Sequence, residues 1–243
     1  MAETSTDPQL VPMGDRALVV SFGNAVDPDV NARAQGCAEY LRERRIAGVT
    51  DVVAGYASVT VHFDPALVAA ATRCDNPLDA VTETVTALIG RVPEAPRRRP
   101  KTIEIPVCYG GEMGMDLEEV AEHCRMPADE VIRRHCAPLY RVYLLGFVPG
   151  FGYLGGLDRR IQVPRRESPR KRIPAGSVGI GGEQTGVYPV ESPGGWNIIG
   201  RTPRRLFRPD DGEGTPNLME AGDFVRFVPV TAAEFDRLKA AQR

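Results

Sequence analysis

The stretch RKRIPAGSVGIGGEQTGVYPVESPGGWNIIGRTP, residues 170–203, decides the fold of the C-terminal half of this 243-residue chain. It contains eight glycines and four prolines, and its apolar residues come in runs as short as SVGI. From residue 146 to about residue 208 the apolar residues show no helical spacing. Short apolar runs separated by turn residues, with no helix between them, are typical of an antiparallel barrel or sandwich.

The segments on both sides of this stretch supply further strands and a few helices. Strands are predicted over residues 102–109, 140–147 and 222–230. Helices are predicted over residues 116–124 and 126–136, and a last one follows residue 231. Asp116 is the predicted N-cap of the first of these helices, and Thr231 and Glu234 form a predicted capping box for the last.

The first hundred residues have the pattern of a small α+β unit. A strand over Ala17–Phe22 precedes a helix that Asp27 caps, and two strands follow over residues 50–56 and 57–63. A second helix is predicted over residues 78–89, with a possible closing strand after it. This order predicts a ferredoxin-like sheet backed by two helices.

The chain is predicted to divide into two domains. An α+β domain covers residues 1–95, of which the polar residues 1–12 are expected to be a disordered lead-in. Residues 96–101 belong to a proline-rich basic run, which favours a solvated linker. A barrel domain over residues 102–243 completes the α+β fold class.

Composition excludes several classes of function. The net charge of -2 favours neither nucleic acid nor an anionic membrane as a partner, and no apolar run is long enough to span a membrane. The N-terminus lacks the pattern of a signal peptide, and the five cysteines are scattered without a C-x-x-C pair. We therefore expect a cytoplasmic protein with reduced thiols and no metal site.

Familiar catalytic motifs do not occur in the sequence. It has no P-loop, no H-E-x-x-H and no G-x-G-x-x-G, and AGSVG is one residue short of a nucleophile elbow, so Ser177 is interpreted as a turn serine. His135 ends a predicted helix just before the strand that leads to the glycine-rich GFVPGFGYLGG, residues 146–156. It is either a structural cation at the helix end or an acid–base group.

Four glycine-rich segments are expected to converge on a pocket or a protein interface, where glycine exposes main-chain NH groups. They cover residues 108–112, 146–156, 170–189 and 191–203. The candidate catalytic residues are His135, Arg172, Gln184 and Arg201. The candidate substrate-binding residues are Phe147, Pro149, Gly150, Tyr153, Gly176, Ser177, Tyr188, Glu191, Gly195 and Trp196.

The same segments carry a family resemblance that covers roughly residues 12–230. YRVYLLGFVPGFGYLGGLD, IEIPVCYGGEMGMDLEEVA and above all PAGSVGIGGEQTGVYPVESPGGW resemble the family of the 5-oxoprolinase B subunit. This family is also called allophanate hydrolase subunit 1, or carboxyltransferase domain, subdomains C and D, and it includes the kinase inhibitor KipI. One departure is Gly152, where the family pattern leads us to expect proline.

The resemblance implies a cyclophilin-like barrel after the N-terminal domain and a role in a hetero-oligomer. Together with the A and C subunits, such a chain would open 5-oxo-L-proline to L-glutamate at the expense of ATP. Since no ATP motif occurs here, we expect the nucleotide to bind mainly on the partner subunits, and which subunit binds ATP stays open. The resemblance leaves open whether the isolated chain is active.

Two alternatives stay open at this point. The first is a carboxyltransferase subunit of a biotin-dependent urea carboxylase or allophanate-hydrolase system. Biotin would then arrive on another protein, because this chain has no A-M-K-M context. The second is a KipI-like inhibitor of a histidine kinase, which requires an exposed apolar patch rather than a polar pocket.

Overall fold

A computed structural model of the chain describes residues 8–24, 27–93, 99–209 and 215–241. The chain divides into two compact units, Met1–Arg99 and Pro100–Arg243. Within the described ranges no helix is long and apolar enough to cross a membrane. The fold class is α+β, as predicted, with a four-stranded sheet in the first unit and a closed seven-stranded barrel in the second.

Over its described residues, the first unit is an antiparallel sheet with three helices. Its elements are β1 (Gln9–Pro12), β2 (Ala17–Ser21), α1 (Pro28–Glu43), β3 (Val49–Ala54), β4 (Ser58–Phe63), α2 (Pro65–Thr72) and α3 (Pro77–Ile89). The strands lie in the order β1-β2-β4-β3. Each helix begins with an Asp or Asn cap followed by proline, and Asp27, Asp64 and Asn76 accept hydrogen bonds from the first-turn amides.

The fourth strand of this sheet comes from the chain before β2, not from a closing strand after α3. Gln9–Pro12 pairs with β2 through a tight turn at Gly14, whose φ is +69°. The predicted disordered lead-in is therefore wrong over residues 9–12, because Leu10 is half-buried against the sheet core. Residues 1–7 of that prediction lie outside the described residues, and so does part of the predicted linker.

The described part of the second unit is a barrel with three α-helices. Its elements are β5 (Thr102–Tyr109), α4 (Leu117–Cys124), α5 (Ala128–Cys136), β6 (Tyr140–Leu145), β7 (Gly152–Gly155), β8 (Arg170–Ile173), β9 (Ser177–Gly181), β10 (Gln184–Val187), β11 (Ser192–Gly194), β12 (Asn197–Arg201), β13 (Phe224–Pro229) and α6 (Ala232–Ala240). The barrel order is β10-β7-β6-β13-β5-β12-β9, closed by the pairing of β9 with β10. The predicted capping box of Thr231 and Glu234 is confirmed at the start of α6.

Two features of this unit differ from the antiparallel barrel that the sequence predicts. β5 and β13 are parallel, so the barrel is mixed. Strands joined by a hairpin must pair antiparallel. β5 and β13 are the first and last strands of the barrel in the chain and no hairpin joins them, so they can pair in parallel. The second difference is a separate two-stranded sheet of β8 and β11.

Two apolar layers lie on opposite faces of the barrel strands. Val178 and Ile180 of β9 belong to the interior core, while Ile198 of β12 and Trp196 belong to a second cluster. Because successive residues of a strand face opposite sides, Gly179, between Val178 and Ile180, faces the outer side. Trp196 packs there against the backbone of Gly179. The second cluster therefore covers the outer face of the barrel, beside the glycine-rich segments.

Candidate functional site

Some of the glycine-rich turns of the barrel unit meet at one end of β9, β10 and β12, whereas the turns at Gly110 and Gly182 lie toward the opposite end, so the four segments do not all converge. The amide of Gly176 donates to the carbonyl oxygen of Tyr188 at 2.7 Å, and the amide of Tyr188 donates to Ser177 O at 2.8 Å. Thr202 N donates to Gly176 O at 2.8 Å, which ties the end of β12 to the same turn. We call this end, with its turns at residues 146–151, 174–176, 188–191 and 201–202, the loop end.

An aromatic layer joins the 146–156 segment to the loop end. The ring centroid of Phe151 lies 5.4 Å from both Tyr188 and Trp196, and that of Phe147 lies 6.3 Å from Tyr188. Tyr153 is half-buried in the same layer, with its centroid 6.1 Å from that of Trp196. The structure therefore brings together four aromatic candidate residues, Phe147, Tyr153, Tyr188 and Trp196, with Phe151, which is not among the candidates.

Phe147 is the exposed member of this layer. Its side chain is 56% exposed, and its φ of +70° lies in the left-handed region that aromatic residues rarely adopt. Such a conformation costs free energy and recurs at functional sites. Pro149 beside it is exposed, and Gly150, with a φ of +83°, is buried where a Cβ would come within 2.8 Å of Phe207. The turn thus holds an aromatic side chain toward solvent.

Charged side chains border the loop end. Arg172 donates from Nε to Glu191 Oε1 at 2.9 Å, and both side chains are mostly exposed, so this ion pair adds little stability. Arg201 is half-buried and donates from Nε to the carbonyl oxygen of Ala175 at 2.8 Å. Gly195, a candidate substrate-binding residue, lies instead toward the opposite end of β12, where its carbonyl oxygen accepts from the amide of Arg166 at 2.8 Å. Two candidate cations and one carboxylate therefore lie at one rim.

Gln184 lies away from this rim. It opens β10 opposite Gly181, whereas the loop end lies where Val187 pairs with Val178 at the other end of the same two strands. The structure does not bring Gln184 together with Arg172 and Arg201. Its predicted catalytic role stays a prediction.

His135 is buried in a chain of hydrogen bonds inside the barrel. Thr185 Oγ1 donates to Gly179 O at 2.9 Å, so it accepts from His135 Nε2 at 2.8 Å. His135 Nδ1 must then accept from the hydroxyl of Tyr109 at 2.8 Å, and that hydroxyl accepts from the Cys136 thiol at 3.4 Å. Every polar atom of the imidazole is satisfied by the protein.

The surroundings of His135 keep its imidazole neutral. Its side chain has no exposed surface, and its ring lies 4.5 Å from that of Phe227. Burial lowers the pKa of His135 from 6.5 to about 3. This geometry supports a structural role for His135. Its predicted catalytic role stays a prediction, and it would require a conformation in which the imidazole is accessible.

The lowered pKa of His135 predicts an acid-dependent loss of stability. Between pH 6.5 and 3 the unfolded chain protonates this side chain while the folded chain does not, so the free energy of unfolding falls as the pH falls through that range. The expected contribution is a loss of about 2 kcal/mol between pH 7 and pH 5. Urea unfolding at several pH values measures it.

A His135→Gln variant serves as the comparison, because glutamine does not titrate. Its stability is expected to depend less on pH between 7 and 5 than that of the parent chain. NMR titration of the parent gives an independent reading, since the His135 ring should stay neutral down to about pH 4. A His135 ring that titrates near pH 6.5 would contradict the prediction.

A buried carboxylate that the sequence assigns to a helix cap has another role. Asp116 occupies the N-cap position of α4, as predicted, but its side chain makes no capping hydrogen bond. It accepts from Arg170 Nη1 and Nη2 at 2.8 and 2.6 Å and from the amide of Ile198 at 2.7 Å. Arg166 Nη1 completes the set at 3.1 Å from Asp116 and 2.9 Å from Glu119.

This network is not among the features predicted from the sequence. Asp116 is 1% exposed, and it joins α4, β8, β12 and the chain before β8. The spacing of Asp116 and Glu119 fits a capping box equally well, and nothing local indicates two arginines about fifty residues away. The basic run at residues 165–172 was the available signal.

The glycines of the loop segments serve packing more than anion binding. Gly179, Gly181 and Gly186 lie within paired strands, and a Cβ at any of them would come within 3.1 Å of Trp196. The amide of Gly176 already donates to Tyr188. The expectation that these turns expose free NH groups is therefore not met at these four positions.

Comparison with known proteins places the chain in one family. The family described as carboxyltransferase domain, subdomain C and D, matches residues 8–219, so the chain belongs to it. Within that family, the chain is 42% identical over 233 residues to the 5-oxoprolinase B subunit of Bacillus subtilis (strain 168), covering 95% of this chain and 96% of that protein. The predicted family is confirmed.

Two solved structures share the fold. A crystal structure of TTHA0988 has a TM-score of 0.75 and 34% sequence identity, covering 89% of this chain and 40% of that one. The Kluyveromyces lactis urea amidolyase has a TM-score of 0.77 at 20% identity, covering 97% of this chain and 16% of that one. The chain thus spans less than half of either protein, and the second comparison shows the fold alone.

Proposed function

We propose that this chain is the B subunit of an ATP-dependent 5-oxoprolinase, which hydrolyses 5-oxo-L-proline to L-glutamate together with the A and C subunits. The observation that carries the proposal is the 42% identity to a 5-oxoprolinase B subunit over nearly the full length of both chains. The loop end presents Arg172, Arg201 and the exposed Phe147, which supports a role for this surface in contacts within a complex.

The chemistry explains the need for several subunits. A lactam amide is a poor electrophile, and transfer of the γ-phosphoryl group of ATP to its carbonyl oxygen creates a leaving group. One water then adds to the same carbon as the ring C–N bond breaks and its nitrogen takes a proton. A second water releases phosphate, which leaves L-glutamate, ADP and phosphate. Cationic groups stabilise the charge that develops on the transferred phosphoryl oxygens.

We assign a role in substrate binding to the loop end. Arg172 and Arg201 offer positive charge, Glu191 offers a carboxylate, and Phe147 offers an exposed aromatic face. Ser177, Tyr188 and Trp196 are buried and support these groups from below. We assign ATP mainly to the partner subunits, because the glycine amides described above are already paired within the barrel.

The test is to produce this chain with candidate A and C subunits and to measure glutamate release from 5-oxo-L-proline. We expect product only when all three chains and ATP are present. Arg172→Ala and Arg201→Ala should each lower kcat about tenfold or more without preventing assembly, because each removes a positive charge from the rim. Arg91→Ala, at an exposed arginine of the first unit, is the control. A stable complex that forms no glutamate with ATP would refute the assignment.

The fold shared with the urea amidolyase favours a second candidate, a carboxyltransferase subunit that uses biotin on a separate protein. The same preparation answers this question when it is supplied with a carboxybiotinyl protein and urea. Carboxyl transfer to urea, with no ATP-dependent glutamate release, would favour the second candidate.

A further inference from the structure

A groove of about 420 Å³ lies beside the aromatic layer, away from the loop end. Its walls are the α4 side chains of Glu119 and His123, the chain at residues 163–168, and Asn197. The amide of Gly182, in the turn between β9 and β10, donates to Val163 O at 2.7 Å and fixes one wall there. We call this the 163–168 groove, and its volume is within the usual range of small-molecule sites.

Most of the positive charge around the groove is already neutralised. Arg166 is held by Asp116 and Glu119, and Arg170 is held by Asp116 through two hydrogen bonds. Arg165 differs from both, because no hydrogen bond or ion pair joins it to any side chain in the described ranges. Its guanidinium carbon lies 5.9 Å from the ring centroid of Trp196. One planar cation is thus placed at the groove with its donors available.

The other charged groups limit what that cation can bind. Glu119 and Glu167 line the same groove and repel ligands that carry several negative charges. A guanidinium matches a carboxylate through two parallel hydrogen bonds. Ser168 and His123 add polar groups for a second part of the ligand. The groove therefore fits a small anion with one carboxylate and a neutral polar group, rather than a nucleotide or free phosphate.

We propose that the 163–168 groove binds a small monocarboxylate through Arg165, and that this ligand is 5-oxo-L-proline. The carboxylate pairs with the Arg165 guanidinium, and the neutral lactam lies toward Ser168 and His123. The choice of 5-oxo-L-proline within this class rests on the proposed function. The groove then holds the substrate before or during transfer to the reacting centre of the complex.

Trp196 makes the test direct, because it is the only tryptophan of the chain and lies under Arg165. Titration of the chain with 5-oxo-L-proline should change the tryptophan fluorescence along a saturable curve. 2-Pyrrolidinone, which has the same lactam ring without the carboxylate, should bind at least about tenfold more weakly. Inorganic phosphate and Mg-ATP, at equal ionic strength, should not displace 5-oxo-L-proline.

The decisive variant is Arg165→Gln, compared with Arg226→Gln. Arg226 is 54% exposed on β13, a strand that does not line the groove, so its replacement removes the same charge elsewhere. Arg165→Gln should raise the dissociation constant for 5-oxo-L-proline about tenfold or more, and Arg226→Gln should leave it unchanged. Equal thermal unfolding of the three proteins verifies that the fold is intact.

Three results would overturn the inference: no saturable binding, equal binding by Arg165→Gln and the parent, or displacement by phosphate. The same variants in the complex separate this inference from the proposed function. If the complex releases glutamate and Arg165→Gln leaves KM unchanged, the groove assignment fails and the function stands. If the isolated chain binds 5-oxo-L-proline through Arg165 but the complex has no activity, the groove assignment stands and the function fails.

Discussion

Replacement of Asp116 by alanine is expected to lower the free energy of unfolding of the barrel unit by about 3–5 kcal/mol. The carboxylate is 1% exposed and receives hydrogen bonds from two arginines and a backbone amide. Its removal leaves the guanidinium of Arg170, with a side chain only 26% exposed, and the amide of Ile198 without their acceptor. Such a loss costs more than the pair itself contributes, because the remaining charge stays desolvated.

Urea unfolding followed by tryptophan fluorescence measures this effect, because Trp196 reports the unit in which Asp116 lies. The matched control is Glu118→Ala in the same helix turn, since Glu118 is exposed and has no hydrogen bond or ion pair within the described part of the chain. It should change stability by less than about 0.5 kcal/mol. Equal effects of the two substitutions would show that the Asp116 network is not stabilising.

The elements that the sequence predicts best are those whose signals are local. The caps at Asp27 and Thr231 and the alternation of Val59, Val61 and Phe63 depend on neighbours within a few residues, and the structure has all of them. Two short elements of the first unit are missed. β1 is a four-residue strand next to a polar N-terminal segment, and α2 is apolar over most of its eight residues. Neither element therefore shows a clear hydrophobic periodicity.

Pairings between distant strands are less accessible to sequence reasoning. The turn density predicts a barrel correctly, but the parallel contact of β5 with β13 joins segments more than one hundred residues apart. No hairpin signal exists for such a pair, and the orientation is set by how the intervening chain closes the barrel. The sheet of β8 and β11 likewise depends on a long connection.

In the candidate site, too, locally determined features are predicted better than features that depend on the whole fold. Sequence composition identifies the right segments, because glycine and aromatic residues are locally enriched, and the structure joins Phe147, Tyr188 and Trp196 in one layer. The chemistry assigned to each residue is less predictable, since burial is set by the whole fold. His135, chosen for its place before a glycine loop, lies in the barrel core, while Arg165 is absent from the candidate list and lines the groove.

Replacement of Gly181 by alanine is expected to destabilise the barrel unit by about 3 kcal/mol, at the upper end of the range for overpacking. A Cβ at this position would lie 2.5 Å from Trp196 Cδ1 and 2.6 Å from its Nε1. The indole cannot simply turn away, because Phe151 and Tyr188 pack around it at centroid distances of 5.4 and 6.5 Å. The ring must leave its place, and its fluorescence emission should shift to longer wavelength.

The control for this substitution is Gly195→Ala, directly beside the indole in sequence. A Cβ at Gly195 would have its nearest neighbour at 3.6 Å, an ordinary contact distance, so stability should change by less than about 1 kcal/mol. If Gly181→Ala and Gly195→Ala have equal stability and equal emission maxima, Trp196 has room to move and the outer layer is loosely packed. If only Gly181→Ala lowers the stability, glycine is required in β9 and β10 because a side chain there would clash with the aromatic layer.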